Sequence, residues 1–230
     1  MIFTDFLRSV SQLGDHRFRS VLLRGVGLTG LLFFAIYWLF VTAVGWLIGD
    51  SLTLPWLGQI EWIDEALSLA AIPVMLMLSV VLMVPVASAI ISLFLDEVAQ
   101  AVEDRHYPDA GPARSVPLTE TMRDSLGFFG VLIVANLFAL LLYLIFAPFS
   151  PLIFWGLNGY LLGREYFTMA ATRRLGQNGA RQLRKKHALA IWGAGVMIAV
   201  PLTIPLVNLF VPILGAATFT HFFHRVARQA

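Results

Sequence analysis

The fold is decided by residues 125–163, which read SLGFFGVLIVANLFALLLYLIFAPFSPLIFWGLNGYLLG and contain no Lys, Arg, Asp or Glu. Three further blocks, 25–49, 66–95 and 188–220, also lack these four residue types. Each block exceeds the roughly 20 apolar residues that an α-helix needs to cross the ~30 Å hydrocarbon core of a bilayer. The composition agrees, since 58% of the residues are hydrophobic and 13% are charged, against about 25% charged in soluble domains. These observations predict an integral membrane protein.

The apolar blocks predict an all-α membrane fold in a single domain, 1–230. Residues 1–14 place apolar side chains at helical spacing, which predicts an amphipathic helix lying in the membrane interface. Residues 20–48 and 66–103 predict two long transmembrane helices. The second of these contains Pro73 and Pro85, and these should kink it.

The remaining apolar segments, 125–163 and 187–222, are each interrupted by a pair of prolines. Three pieces beside the prolines, 151–163, 187–200 and 206–220, run 13 to 15 residues, or about 20–22 Å, which is too short to cross a full bilayer. We therefore predict two Pro-broken re-entrant helical hairpins. The alternative is an ordinary pair of tight spans joined by a proline turn. Paired, interrupted segments of this kind are a sequence pointer to a transport site.

The charges predict the orientation. With two spans and two hairpins, all 16 Lys and Arg residues fall on one side of the membrane, and the positive-inside rule makes that side cytoplasmic. Both termini should therefore be cytoplasmic, in a multi-pass protein. The basic residues lie at 8–24, 105–123, 164–186 and 225–228.

Several function classes are not supported by the residues. The chain has no cysteine, and its apolar blocks hold no His, Asp or Glu, so we predict neither an enzyme nor a cofactor. Because the basic residues flank apolar spans, they do not indicate nucleic-acid binding. His221 and His224 share a helix face at i and i+3, but beside Arg225 they are typical of interfacial residues, and we predict no metal site.

Residues 14–19, GDHRFR, form a candidate anion site at the start of the first span. A helix amino terminus presents free N–H groups, and arginines beside it favour an anion further. The candidate anion-binding residues are Gly14, His16, Arg17 and Arg19. The alternative is that these arginines serve only the positive-inside rule.

The hairpins carry the second set of candidates. Asn158 and Asn208 each follow the second proline of a block and could line a solute path or simply hydrogen-bond between neighbouring helices. Proton-driven carriers usually hold a carboxylate or histidine at mid-depth. Its absence from these blocks favours a pore or facilitated pathway over a proton-coupled pump.

Two stretches resemble the CysZ-like membrane proteins, the bacterial branch of the etoposide-induced protein family. They are 157–167, LNGYLLGREYF, and 204–212, IPLVNLFVP. The order of a basic amphipathic start, two long spans and two broken hairpins is also similar, so the likeness covers nearly the whole chain. In this setting we expect Arg164 and Glu165 to hold the two hairpins in register. The alternative is that Asn158 or Arg164 touches the solute. Gly159 and Gly163 should let another helix approach closely.

The resemblance implies an inner-membrane sulfate channel that supplies cysteine synthesis and assembles as a homo-oligomer. It also implies sulfate binding at a Gly-Leu-Arg element near the start of the first long helix. In this chain the arginines are kept, but the spacing differs and Asp15 intervenes. The competing hypothesis is a non-transporting membrane scaffold or assembly protein of the same fold, which uses the basic loop 164–186 to bind anionic lipid or a cytoplasmic partner.

Overall fold

The computed structural model describes residues 2–48, 53–54, 58–59, 77, 82–114 and 118–229, without the side chains of 41, 44–45, 47–48, 53–54, 58–59 and 118–126. The helices in these ranges are α1 (Ile2–Ser11), α2 (His16–Ile48), α3 (Leu82–Ser92), α4 (Leu95–His106), α5 (Leu118–Ile145), α6 (Ser150–Lys186), α7 (Ala188–Ala199), α8 (Pro205–Asn208) and α9 (Val211–Ala227). Short 3-10 helices occupy Pro108–Ala110, Ala147–Phe149 and Val200–Thr203. The strands β1 (Thr53–Leu54) and β2 (Gly58–Gln59) pair antiparallel, with Thr53 opposite Gln59 and Leu54 opposite Gly58.

Two of the described helices are long and apolar enough to cross a membrane, α2 over His16–Phe40 and α5 over Gly127–Ile145. Two further pairs are bent at a short break, α3 with α4 by 58° and α6 with α7 by 88°, and each is a broken span or a re-entrant loop. Large apolar side chains on α2 and α5 are exposed, as a lipid-facing surface requires. The predicted all-α membrane fold, with two span-length helices and two bent pairs, is confirmed, but the positions differ. The second span-length helix, α5, lies in the first predicted hairpin, and the bent pair of α3 and α4 lies in the second predicted long helix.

The bends do not all lie where the sequence placed them. The predicted helix 20–48 corresponds to α2, but the described part of the predicted helix 66–103 divides at Leu93 and Phe94. Pro85 lies within α3, ahead of that bend. Pro73 and most of residues 66–81 lie outside the described residues.

The proline breaks occur as predicted. Helix α5 ends at Ile145, the 3-10 helix Ala147–Phe149 contains Pro148, and α6 then begins with Pro151 in its first turn. Helix α7 ends at Ala199 before Pro201, and Ile204 is extended (φ −108°, ψ 108°) ahead of Pro205. Proline cannot donate the helical hydrogen bond and pushes the preceding residue out of the α region, so each pair of prolines ends a helix.

Helix α6 runs well past residue 163, the predicted end of the first hairpin. The basic segment 164–186, predicted to be a loop, is helical up to Gly176 and again from there to Lys186. Gly176 has a positive φ of 66°, a conformation that glycine adopts without strain, and it turns the chain towards α7.

Helices α6 and α7 cross at small residues. A Cβ atom on Gly159 would lie 2.6 Å from the Val196 backbone nitrogen, and one on Gly163 would lie 2.7 Å from the Ile191 carbonyl oxygen. A Cβ on Gly195 would overlap the Gly159 carbonyl oxygen. The pairs 159 with 195 and 163 with 191 show that the helices run antiparallel. The close approach predicted at Gly159 and Gly163 is confirmed.

Helix α9 lies at the centre of the fold. Its residues 211–224 are all buried, and α1, α4 and α6 pack around it. In this core the ring of Phe222 contacts the rings of Phe167 and Phe219. The end of the second predicted hairpin is therefore an internal helix that does not face lipid.

Helix α1 is amphipathic, as predicted, but its polar face is turned towards the protein. Asp5 and Ser9 are buried against α9, and Asp5 accepts hydrogen bonds from the Arg225 guanidinium at 2.6 and 3.0 Å. Its exposed face carries Phe3, Leu7 and Val10. An apolar outer face of this kind suits a helix in the membrane interface.

Candidate functional site

The start of α2 is engaged by carboxylates of the chain itself. The Asp15 Oδ1 atom accepts a hydrogen bond from the Arg17 backbone N–H at 2.9 Å, so Asp15 caps the helix. The Arg17 guanidinium donates to Asp104 on α4 at 2.5 Å, and Arg105 lies 3.5 Å from Asp15. The last two contacts fasten the beginning of α2 to the end of α4.

The structure separates the four predicted anion-binding residues. Gly14 and His16 are exposed beside the cap, and the Arg19 side chain is also exposed. Since successive residues of a helix are rotated by about 100°, Arg17 and Arg19 project from nearly opposite sides of α2. Arg17 alone of the four borders the cavity described next.

A cavity of about 510 Å³ lies between α2, α4, α6 and the segment after α4. Three arginines line it, Arg17, Arg114 and Arg173, together with the carboxylates of Asp96 and Glu97. The arginines come from three separate parts of the chain, and the Arg114 backbone N–H donates to the Arg173 carbonyl at 3.0 Å. Guanidinium groups suit a tetrahedral oxyanion because each can donate two parallel hydrogen bonds.

Arg173 forms the inner wall of this cavity. Its side chain is 8% exposed, and it donates to the Asp96 carbonyl at 2.6 Å and to Gln100 Oε1 at 2.8 Å. Its Nε atom is buried without a hydrogen-bond partner among the described residues. Arg173 therefore joins α6 to successive turns of α4 while keeping one donor unused.

Behind Arg173 lies a buried carboxylate, that of Glu103, whose side chain is 3% exposed. It contacts Arg174 Nη2 at 2.7 Å, His224 Nε2 at 3.0 Å and Arg173 Nη2 at 3.5 Å. Glu103 thus joins α4, α6 and α9 at one point. A buried charge is tolerated only when it is paired and hydrogen-bonded, and here it has three partners.

The two histidines of α9 are internal, so our prediction of interfacial histidines is wrong. His221 Nδ1 lies 2.9 Å from the Tyr107 hydroxyl, and Tyr107 stacks on His224 with 4.1 Å between ring centroids. Burial, followed by the neighbouring His106, Arg8 and His224, lowers the pKa of His221 to about 3. Burial also raises the pKa of Tyr107. His221 is therefore neutral at pH 7.

The hairpin candidates lie at separate places. Asn158 donates to the Phe154 carbonyl one turn earlier at 2.8 Å, which is a local contact within α6. Arg164 borders a second cavity between α6 and α7, Glu165 is exposed on the next position, and Asn208 ends α8. The structure does not bring these four side chains together.

Sequence reasoning missed Glu103, Arg173 and Arg174. A usable signal was present, since Leu95, Ala99 and Glu103 follow at i, i+4 and i+8 and share one helix face. The first two are buried. A carboxylate on an apolar helix face calls for a buried basic partner, but nothing in the sequence says which arginine supplies it.

Comparison with known families agrees with this architecture. The family model described as sulfate transporter CysZ/etoposide-induced protein 2.4 matches residues 5–212, from α1 to the start of α9. The match includes every residue that lines the arginine cavity. A search of curated proteins finds no match. The chain therefore belongs to the sulfate transporter CysZ/etoposide-induced protein 2.4 family.

Proposed function

We propose that this protein is a permease or channel for sulfate, or a related oxyanion, in the bacterial inner membrane. Membership of a family described by sulfate transport supports the proposal. The observation that carries it is the convergence of Arg17, Arg114 and Arg173 on one cavity at the start of the first apolar helix.

In this proposal the oxyanion exchanges with a carboxylate of the protein. Arg17 is bound to Asp104 at 2.5 Å, so an entering anion replaces Asp104 as the acceptor for the guanidinium. The exchange keeps binding weak, because one charge-assisted hydrogen bond is given up for each that forms. Weak binding suits a conduction path, where the ion must enter readily and leave readily.

The same proposal includes the mode of flux, the assembly and the orientation of the protein. The apolar blocks carry no carboxylate to take up a proton, which supports passive flux that supplies sulfur for cysteine biosynthesis. The protein is a homo-oligomer without enzymatic activity, and both termini are cytoplasmic. Asn158 and Asn208 line the path or stabilise its walls.

The test is uptake of radiolabelled sulfate into liposomes that hold the purified protein. Arg17→Gln should lower uptake, because the entering anion loses the guanidinium that it would take over from Asp104. Asp104→Asn should raise the apparent affinity for sulfate, because it removes the competing acceptor. Arg19→Gln is the matched control, since it removes the same charge from the other side of α2 and should leave uptake unchanged.

Lower uptake in Arg17→Gln together with a higher apparent affinity for sulfate in Asp104→Asn would place the anion on Arg17. Equal effects of Arg17→Gln and Arg19→Gln would contradict this assignment and leave only a general electrostatic attraction. Empty liposomes give the background uptake. Each variant should have the melting temperature of the wild-type protein, so that a change in uptake does not reflect unfolding.

The second candidate function is a non-transporting membrane scaffold. The pairing of Arg17 with Asp104 and of Arg173 with Asp96 favours it, because both arginines already have acceptors within the chain. Under this proposal, correctly folded protein gives no uptake of sulfate or of other oxyanions above empty liposomes.

A further inference from the structure

We infer that the second cavity, between α6 and α7, binds the phosphate of an anionic glycerophospholipid. This cavity has a volume of about 220 Å³ and lies apart from the arginine cavity, with no lining residue in common. The inference does not rest on the proposed transport of sulfate. It rests on the charge at one end of the α6–α7 groove and the apolar surface along the rest.

The head of this lipid site is cationic. Arg164, Arg184 and Lys185 line the cavity, and no carboxylate is among its lining residues in the described part of the chain. The arginine cavity, by contrast, includes Asp96 and Glu97. An anion in the α6–α7 cavity therefore meets three positive side chains without a competing acidic lining residue.

The beginning of α7 adds to this field. Ala188, its first residue, lines the cavity, and α7 is 12 residues long. The first N–H groups of a helix have no partner within the helix and carry a partial positive charge, so they favour a phosphate. Arg184 also donates to Thr168 Oγ1 at 2.7 Å, which holds its guanidinium beside the cavity.

Two aromatic rings flank the charged end. Tyr160 and Trp192 line the cavity and are about half exposed, and the Trp192 indole N–H donates to the Gly156 carbonyl at 2.8 Å. Tyrosine and tryptophan are enriched where headgroups meet acyl chains, because each ring has an apolar body and a polar atom.

An apolar surface continues from the aromatic rings. Leu152 on α6 and Val200 beyond α7 are exposed further along the groove. From Arg164 to Leu152, α6 extends about 18 Å at 1.5 Å per residue. That distance is close to half of the ~30 Å hydrocarbon core, which is the depth of one acyl chain. A free inorganic anion would not bind to this apolar surface. A phospholipid would place its phosphate in the cationic cavity and an acyl chain along the apolar surface.

The test is lipid retention measured by native mass spectrometry on the whole protein in a neutral detergent. Dioleoylphosphatidylglycerol should be retained in preference to dioleoylphosphatidylcholine. The double variant Arg164→Gln/Lys185→Gln should weaken phosphatidylglycerol retention about 30-fold. This estimate takes about fivefold for each removed cation and multiplies the two effects. Its matched control is Arg181→Gln/Lys186→Gln, which removes the same charge from exposed positions of the same segment that do not line the cavity.

Three results would overturn the assignment. One is equal retention of the two lipids by the wild-type protein, and another is an equal loss in the cavity variant and in the control. The third is displacement of phosphatidylglycerol by millimolar inorganic phosphate, which would assign the cavity to a free anion.

A second measurement does not need the cavity variant, so it can be made even if that variant does not fold. Phosphatidylglycerol with brominated acyl chains should quench the fluorescence of the wild-type protein more than that of Trp192→Phe. The difference should be about one sixth of the total, because the chain has six tryptophans. Quenching that does not depend on Trp192 would place the acyl chain elsewhere and contradict the inference.

Discussion

Replacing Glu103 by glutamine tests the buried junction that supports the arginine cavity. The side chain is 3% exposed, and the substitution removes its charge while keeping its size. Arg174 would still donate to the Ala110 and Gly111 carbonyls, and Arg173 to Asp96 and Gln100. Breaking a buried ion pair costs about 3–5 kcal/mol. Because both arginines keep other acceptors, we expect the lower end of that range, about 3 kcal/mol.

The matched control is Glu97→Gln, one residue after Asp96 on the same helix. Glu97 pairs with Arg24 at 2.9 Å, but its side chain is 45% exposed, and exposed pairs contribute about 0–1 kcal/mol. The assay is thermal unfolding in detergent, followed by circular dichroism and by the monodisperse fraction on size exclusion. Glu103→Gln should lower the midpoint several times more than Glu97→Gln. Equal small shifts would refute the view that Glu103 holds α4, α6 and α9 together.

Two further predictions use the helix crossing and the buried histidine. Gly195→Ala should destabilise the protein because its Cβ would overlap the Gly159 carbonyl oxygen. Gly193→Ala on the same helix should not, because no described residue lies within 4 Å of its Cβ; equal melting temperatures would contradict the crossing. The pKa of His221 is about 3, below the unfolded value of about 6.5, so the folded state binds fewer protons and stability falls as the pH drops below 6.5. At pH 5 the free energy of unfolding should be about 2 kcal/mol lower than at pH 7 because of this histidine. His221→Gln should remove that part of the pH dependence of unfolding. An unchanged pH profile would show that His221 does not cause the pH dependence.

The features that sequence reasoning predicted well are those with local causes. The breaks near Pro148 and Pro201 follow from the geometry of proline itself, which acts on its own residue and the one before. The glycine spacing at 159 and 163 indicated a close helix contact, but α7 could not be named as the partner from the spacing alone.

The candidate site was predicted only in part. Arg17 was identified because it opens an apolar span, and it does line the cavity. Arg19 was grouped with it by proximity in sequence, although the helical rotation separates the two side chains. Arg173, on the other wall, was assigned to a solvated basic loop, since the positive-inside rule accounts for any arginine outside a span. Its contacts with Asp96 and Gln100 join residues that are more than 70 positions apart.

The sequence by itself determined that this protein is a helical membrane protein, that prolines end helices near residues 148 and 201, and which family it resembles. These properties depend on the number of consecutive apolar residues and on the local chemistry of proline and glycine, both of which are written along the chain. Only the tertiary structure decided that α9 is internal, that Glu103 pairs with Arg174 and His224, and that cationic side chains gather in two separate cavities. Those outcomes depend on which helix faces meet, and this is set by packing and charge pairing between distant segments that no local pattern specifies.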